Sequence, residues 1–135
     1  MRIASRVVIL KQDKILFIHR INSGKEYYVL PGGAIEENES PEEAAIREIK
    51  EETDFDIKIE SLLWELEEDV NGEIRKGHYF LVKEFKGTLR LGGPEVNRQS
   101  ENNKYLFEWV SLDRLNDCFV YPQGLKEEIL KRFSK

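Results

Sequence analysis

Residues 39–55, "ESPEEAAIREIKEETDF", constrain the fold of this chain more than any other stretch. Ser40 is a good N-cap, Pro41 suits the first helical position, and Glu43 completes an S-x-x-E capping box. These signals predict a helix over about residues 41–53. On a wheel of roughly 100° per residue, Ala45, Ile46, Ile49 and Thr53 share the face that must meet a core. Glu43, Arg47 and Lys50 lie opposite. Glu48, Glu51 and Glu52 fill a third sector beside the core face. Like charges at i,i+3 and i,i+4 cost a helix about 0.2–0.5 kcal/mol per pair. A solvated acidic face is the ordinary reading of such a run. The position of this run, bordering the apolar stripe, also suits Mg²⁺ held by several carboxylate oxygens and waters.

Strand-like segments surround the helix. "RVVIL" and "ILFIHR", separated by "KQDK", read as a hairpin that is apolar on both faces and therefore central in a sheet. "EYYVLPGG" adds a short strand ending at Pro31. "FDIKIE" alternates as a half-buried strand does. "SLLWELEEDV" and "EIRKGHYFLVKEF" read as a long hairpin turning at Asn71-Gly72. "GTLRLGGPEVNRQSENN" is a polar loop region, and "KYLFEWV" a last strand. "PQGLKEEILKRF" predicts a C-terminal helix with Leu125, Ile129 and Phe133 on one stripe. There is no internal repeat and no regular βαβ rhythm. The expected class is α/β, a mixed sheet flanked by helices, in one domain over residues 1–135.

Composition limits the partners. The net charge of −5 argues against broad binding to nucleic acid or an anionic membrane. A small anionic substrate stays open if divalent cations lie between it and an acidic site. No apolar run approaches the roughly 20 residues that span a bilayer. The N-terminus reads as a strand rather than a secretion signal. Cys118 is the single cysteine, so a reducing cytoplasm is the expected location. Ahead of the helix, Gly32 and Gly33 allow close backbone approach to a ligand.

Taken together, the spacing resembles the signature of the Nudix hydrolase family, the MutT-like enzymes. Gly33 is followed after five residues by Glu39. Seven residues later come Arg47-Glu48-Ile49-Lys50-Glu51-Glu52-Thr53-Asp54-Phe55. "YVLPGG" is similar to the family's approach to this box. One position departs: Asp54 stands where the family has glycine, a residue that ends the helix in a left-handed conformation.

The resemblance implies an α/β/α sandwich and Mg²⁺- or Mn²⁺-dependent hydrolysis of a nucleoside diphosphate linked to another moiety. It implies that Glu48, Glu51 and Glu52 bind metal, with the Gly33 carbonyl as a backbone ligand. Arg47 would orient the carboxylates, and Glu39 would be a structural partner or an outer ligand. The general base stays open between Glu48 and a loop glutamate. Glu95 and Glu101 occupy the polar loop, where relatives often bring a further acidic group. Arg6, Arg20 and Lys25 could reach a phosphate. Tyr28, Tyr79, Phe80 and Tyr105 could stack on a base, although core packing is the commoner use. His19 and His78 read as packed histidines. The expected partner is a small nucleotide-derived diphosphate, without extended nucleic acid or membrane; a homodimer stays open.

Two competing classes use the same fold. A non-catalytic module binding a nucleotide or a protein partner would be favoured by loss of box carboxylates, and none of the three is lost. An isoprenoid diphosphate isomerase would need a reactive cysteine, for which Cys118 is poorly placed.

Overall fold

In the computed structural model, residues 2–70, 72–90 and 103–134 are described. The strands are β1 (Arg2–Val8), β2 (Leu10–Lys11), β3 (Lys14–Asn22), β4 (Lys25–Val29), β5 (Gly32–Ala34), β6 (Asp56–Val70), β7 (Glu73–Lys86) and β8 (Asn103–Ser111). Helix α1 spans Pro41–Thr53 and helix α2 spans Leu125–Phe133, with a 3₁₀ turn at Leu115–Asp117.

The strands form two sheets. The first has the order β5-β1-β7-β6 and is mixed, because β1 runs parallel to β7 while the other pairs are antiparallel. The second is built on β3. Strand β8 pairs along its whole length, from Lys14↔Ser111 to Asn22↔Asn103. Strands β2 and β4 share the other edge, through Leu10↔Ile15 and Ile18↔Val29.

The expected hairpin of "RVVIL" with "ILFIHR" is thus confined to Leu10–Lys11 against Lys14–Ile15. Strand β1 belongs to the other sheet, and the chain crosses between sheets at Ile9. The reason is burial on both faces. Val7, Val8 and Ile9 are all fully buried, and a strand with no solvent face is satisfied by parallel neighbours as well as by a hairpin partner. "FDIKIE" and "SLLWELEEDV" are likewise one strand, β6. Register shifts at Lys58/Ile59, Ile59/Ser61 and Leu62/Trp64 break its alternation, so a bulged strand mimics two short ones.

Successive side chains feed two apolar layers. Val7, Leu16, Phe80 and Val82 pack with Ala45 and Ile49 of α1. Val8, Phe17, Tyr79 and Leu81 pack with Leu125 and Ile129 of α2. The helices therefore cover different sides of the strands, giving the three-layer arrangement expected. One helix position is corrected. Ile46 is 43% exposed, while Ala44 and Glu52 are buried beside Ala45, Ile49 and Thr53. Two alanines let α1 sit close to β1, where Ser5 Oγ donates to the Pro41 carbonyl at 2.7 Å. The helix is rolled toward Ala44, and the roll carries Glu52 inward.

Segment 119–121 lies along β4. The Tyr28 N–H donates to the Phe119 carbonyl at 2.8 Å, and the Tyr121 N–H to the Tyr28 carbonyl at 2.9 Å.

Candidate active site

The local sequence fixes where α1 begins and ends. Ser40 Oγ accepts from the Glu43 N–H at 3.1 Å, and the Glu43 carboxylate accepts from the Ser40 N–H at 2.9 Å. At the other end Asp54 adopts φ 68° and ψ 11°, the left-handed conformation expected of the family's glycine. The box helix is held at both ends, and its glutamates are presented to β5.

The approach of β5 is close. The Gly32 N–H donates to Glu52 Oε1 at 2.9 Å, anchoring a carboxylate that is only 4% exposed. A Cβ on Gly33 would lie 2.5 Å from Glu48 Oε2, so any other residue would displace the Glu48 carboxylate. The close contact is with the far end of the Glu48 side chain, so a Cβ here would move the carboxylate rather than the backbone.

Arg47 is the hub of the remaining acidic groups. Its Nε and Nη2 donate to the two Glu39 oxygens at 2.6 and 2.9 Å. Nη1 donates to Glu48 at 3.0 Å and to Glu51 at 3.3 Å, and Nη2 to the Ala34 carbonyl at 3.1 Å. Hydrogen bonds donated to Glu39 above all raise the Arg47 pKa further, against the opposing effect of burial. The same bonds hold the Glu39 carboxyl below the usual carboxylate range. The glutamate repulsion read from the helix wheel is therefore already offset by one guanidinium. Among the described residues no three acidic, histidine or cysteine side chains converge closely enough to enclose a metal as they stand. The donor set is nevertheless of the right chemistry for a hard divalent cation: carboxylate oxygens beside a backbone cradle that a Cβ would fill.

Glu48, Glu51, Glu52, Gly32 and Gly33 line a cleft of about 1110 Å³. Arg6, Arg20 and Lys25, the three cations singled out from the sequence, also line it, as do Tyr27, Tyr105, Phe119 and Tyr121. Arg20 lies over the Tyr105 ring at 3.7 Å, and its Nη2 donates to Asn103 Oδ1 at 2.5 Å. Tyr28, Tyr79 and Phe80 are core residues instead. His19 stacks on Tyr28 at 4.3 Å between rings, with Glu26 and Glu108 against its two nitrogens. Cys118 is a buried free thiol whose pKa burial pushes up. Glu95 and Glu101 lie outside the described residues.

Sequence reasoning missed Glu68, Arg75 and Tyr121. Glu68 is 2% exposed and lines the cleft floor. Its signal was available: counted in twos along β6, Glu68 shares a face with Trp64 and Leu66, and a charge at an inward position asks for a partner.

Similarity to known proteins identifies the family and the fold. The sequence profile of the NUDIX domain matches residues 1–132. An ADP-ribose pyrophosphatase of Methanocaldococcus jannaschii is 51% identical over 57 residues, covering 42% of this chain and 34% of that protein, about a third of its length. An RNA pyrophosphohydrolase of Pelagibacter ubique is 27% identical over 125 residues, 84% of this chain and 78% of the relative. An 8-oxo-dGTP diphosphatase of Proteus vulgaris is 36% identical over 63 residues, covering 47% and 56%. Among solved structures, the E. coli ORF135 protein aligns with a TM-score of 0.77 at 23% identity, over 99% of this chain and 91% of that one. A MutT NUDIX hydrolase from Burkholderia pseudomallei aligns at 0.71 and 24%, over 99% and 98%. At these identities the structural matches establish the fold. With the profile spanning nearly the whole sequence, the chain belongs to the NUDIX family of hydrolases.

Proposed function

We propose that this protein hydrolyses a nucleoside diphosphate linked to another moiety, cleaving a phosphoanhydride with Mg²⁺ or Mn²⁺. The observation that carries the reading is the gathering of Glu48, Glu51, Glu52 and Gly33 in a cleft that Arg6, Arg20 and Lys25 also line. Glu48, Glu51 and Glu52 would hold the cation, with the Gly33 carbonyl as a further oxygen donor. When bound, the metal supplies charge neutralisation and a water of lowered pKa.

The chain's own residues prepare the site. The Gly32 N–H keeps the Glu52 carboxylate in place. Arg47 aligns Glu48 and Glu51 and ties them to Glu39, at the start of the helix. The cations along the cleft attract the anionic substrate. Either Glu48 or a loop glutamate serves as general base, with Glu95 and Glu101 as the loop candidates. The names of the curated relatives share cleavage of a pyrophosphate or diphosphate, which supports the class of bond and leaves the attached group open. The partner on this reading is a small molecule in the cytoplasm.

Glu51→Gln and Glu52→Gln test the assignment. Each should cut Mg²⁺-dependent cleavage of ADP-ribose to AMP and ribose 5-phosphate, or of 8-oxo-dGTP to its monophosphate and pyrophosphate, whichever the parent accepts, by orders of magnitude. The metal-free melting temperature should hold, because the amide oxygen can still accept from Gly32 or Arg47. Parental rates in both variants would leave Glu52 a structural anchor for Gly32 and Glu51 a surface charge.

A further inference from the structure

The floor of the cleft holds an ion pair that the box does not explain. Arg6 Nε and Nη2 donate to the two Glu68 oxygens at 3.2 and 3.3 Å. Tyr79 Oη donates to the same carboxylate. The three residues come from different strands. Arg6 on β1 is in register with Tyr79 on β7, and Glu68 on β6 with Arg75 on β7. To reach Arg6 the Glu68 side chain must cross β7, and it does so over Gly77. A Cβ on Gly77 would lie 2.5 Å from Glu68 Oε2. Gly77 is thus a saddle that lets the carboxylate pass.

A buried ion pair is a weak source of stability compared with apolar packing of equal volume. This one has the marks of a holder. Two of three guanidinium nitrogens are fixed, so the direction of the group is set. Arg6 pairs in register with Gly32, next to Gly33 and beside the anchor of Glu52. Its side chain keeps 19% of its surface accessible and lines the cleft. Arg75 also lines the cleft next to Glu68, and its buried Nε has no hydrogen-bond partner among the described residues. Arg6 and Arg75 thus place two guanidiniums around one buried carboxylate, in a cleft that Glu52 and Asp69 also line.

The geometry points to Arg6 as a contact for a phosphate of the substrate, with Glu68 as the positioning residue that aims it and Gly77 and Tyr79 as the carboxylate's socket. The proposal rests on the reading that the cleft takes a diphosphate. It assigns the part of the cleft beside Gly32 and the Glu52 anchor to the anion itself.

Binding of methylenediphosphonate, a diphosphate that water cannot cleave, tests it by calorimetry in Mg²⁺, with titrations of Mg²⁺ alone as the control. Arg6→Gln should weaken the phosphonate by about 10- to 100-fold, the worth of one or two charge-assisted hydrogen bonds. Mg²⁺ alone should bind as in the parent. Arg6→Lys keeps the charge without the two-point hold and should fall between the two. Gly77→Ala, which touches no ligand, should also weaken the phosphonate by crowding Glu68. Parental phosphonate affinity in folded Arg6→Gln overturns the proposal, as does a parent that does not bind the probe. If Arg6→Gln does not fold, parental affinity in both Arg6→Lys and Gly77→Ala overturns it. Failure of Mg²⁺ alone to bind the parent would instead sink the metal reading of the glutamates, and phosphonate titrations without metal would still report on Arg6.

Discussion

Asp54 shows how one residue can be read from spacing and then checked by a dihedral angle. Its left-handed conformation costs a residue with a Cβ roughly 1 kcal/mol, a strain that glycine does not feel. Its side chain pairs with Lys50 at 3.4 Å and Arg90 at 3.9 Å, but it is half exposed, and such pairs contribute little. Asp54→Gly should therefore leave stability unchanged or raise it by up to about 1 kcal/mol, as measured by urea unfolding. A clear fall in the unfolding midpoint would mean that the ion pairs outweigh the strain. Glu68 is the opposite case. Its inward place could be counted along "WELEE", but its partner could not. Its burial depends on Gly77, across the same hairpin, and on Arg6, which is distant in sequence and close only after β1 pairs with β7. Local pattern cannot encode such a meeting.

At the level of elements, α1 was the most legible part, because its caps and its spacing are local. Ser40, Pro41 and Glu43 mark its start, and the observed helix covers the expected residues. What the wheel misjudged was its roll. Ile46 is more apolar than Ala44, yet packing chose the smaller residue so that the helix could approach β1. The β1–β3 relation was misread for a related reason: an all-apolar run does not say which sheet buries it.

The Arg47–Glu39 bond ties the loop before α1 to the middle of the helix, and it makes a prediction about acid. Arg47 hydrogen bonds hold the folded-state pKa of Glu39 below its unfolded value. The resulting stabilisation is complete above the unfolded pKa of roughly 4.3. It is lost as pH falls through the lower, folded value. The melting temperature of the parent should exceed that of Glu39→Gln at pH 7, and the gap should close in the acid range below that unfolded value. A gap of equal size at neutral and acid pH would show that the charge of Glu39 is not what stabilises.

Across the whole molecule, metal and fold should be linked. If the glutamates bind Mg²⁺ only when α1 and β5 are packed together, the folded state gains about 2.7 kcal/mol at a hundredfold excess over the dissociation constant. Chelation with EDTA should therefore lower the parent's melting temperature relative to Mg²⁺ and leave Glu52→Gln nearly unmoved. An equal response in the two proteins would separate the metal from this site.

The cleft has another consequence, which concerns descent rather than chemistry. Its acidic part is made by β5 and α1, a stretch of about twenty residues locked by caps, by Arg47 and by two glycines. Much of the rest of its lining comes from β4, just ahead of β5 in the chain, and from β8 and segment 119–121, which are far away in sequence, with Tyr28 joining β4 to that segment. Substitutions at Tyr27, Phe119 or Tyr121 need not disturb a single hydrogen bond of the Arg47 hub. A lineage built on this plan could change one wall of the cleft by drift, while the wall of glutamates held by Arg47 is inherited intact.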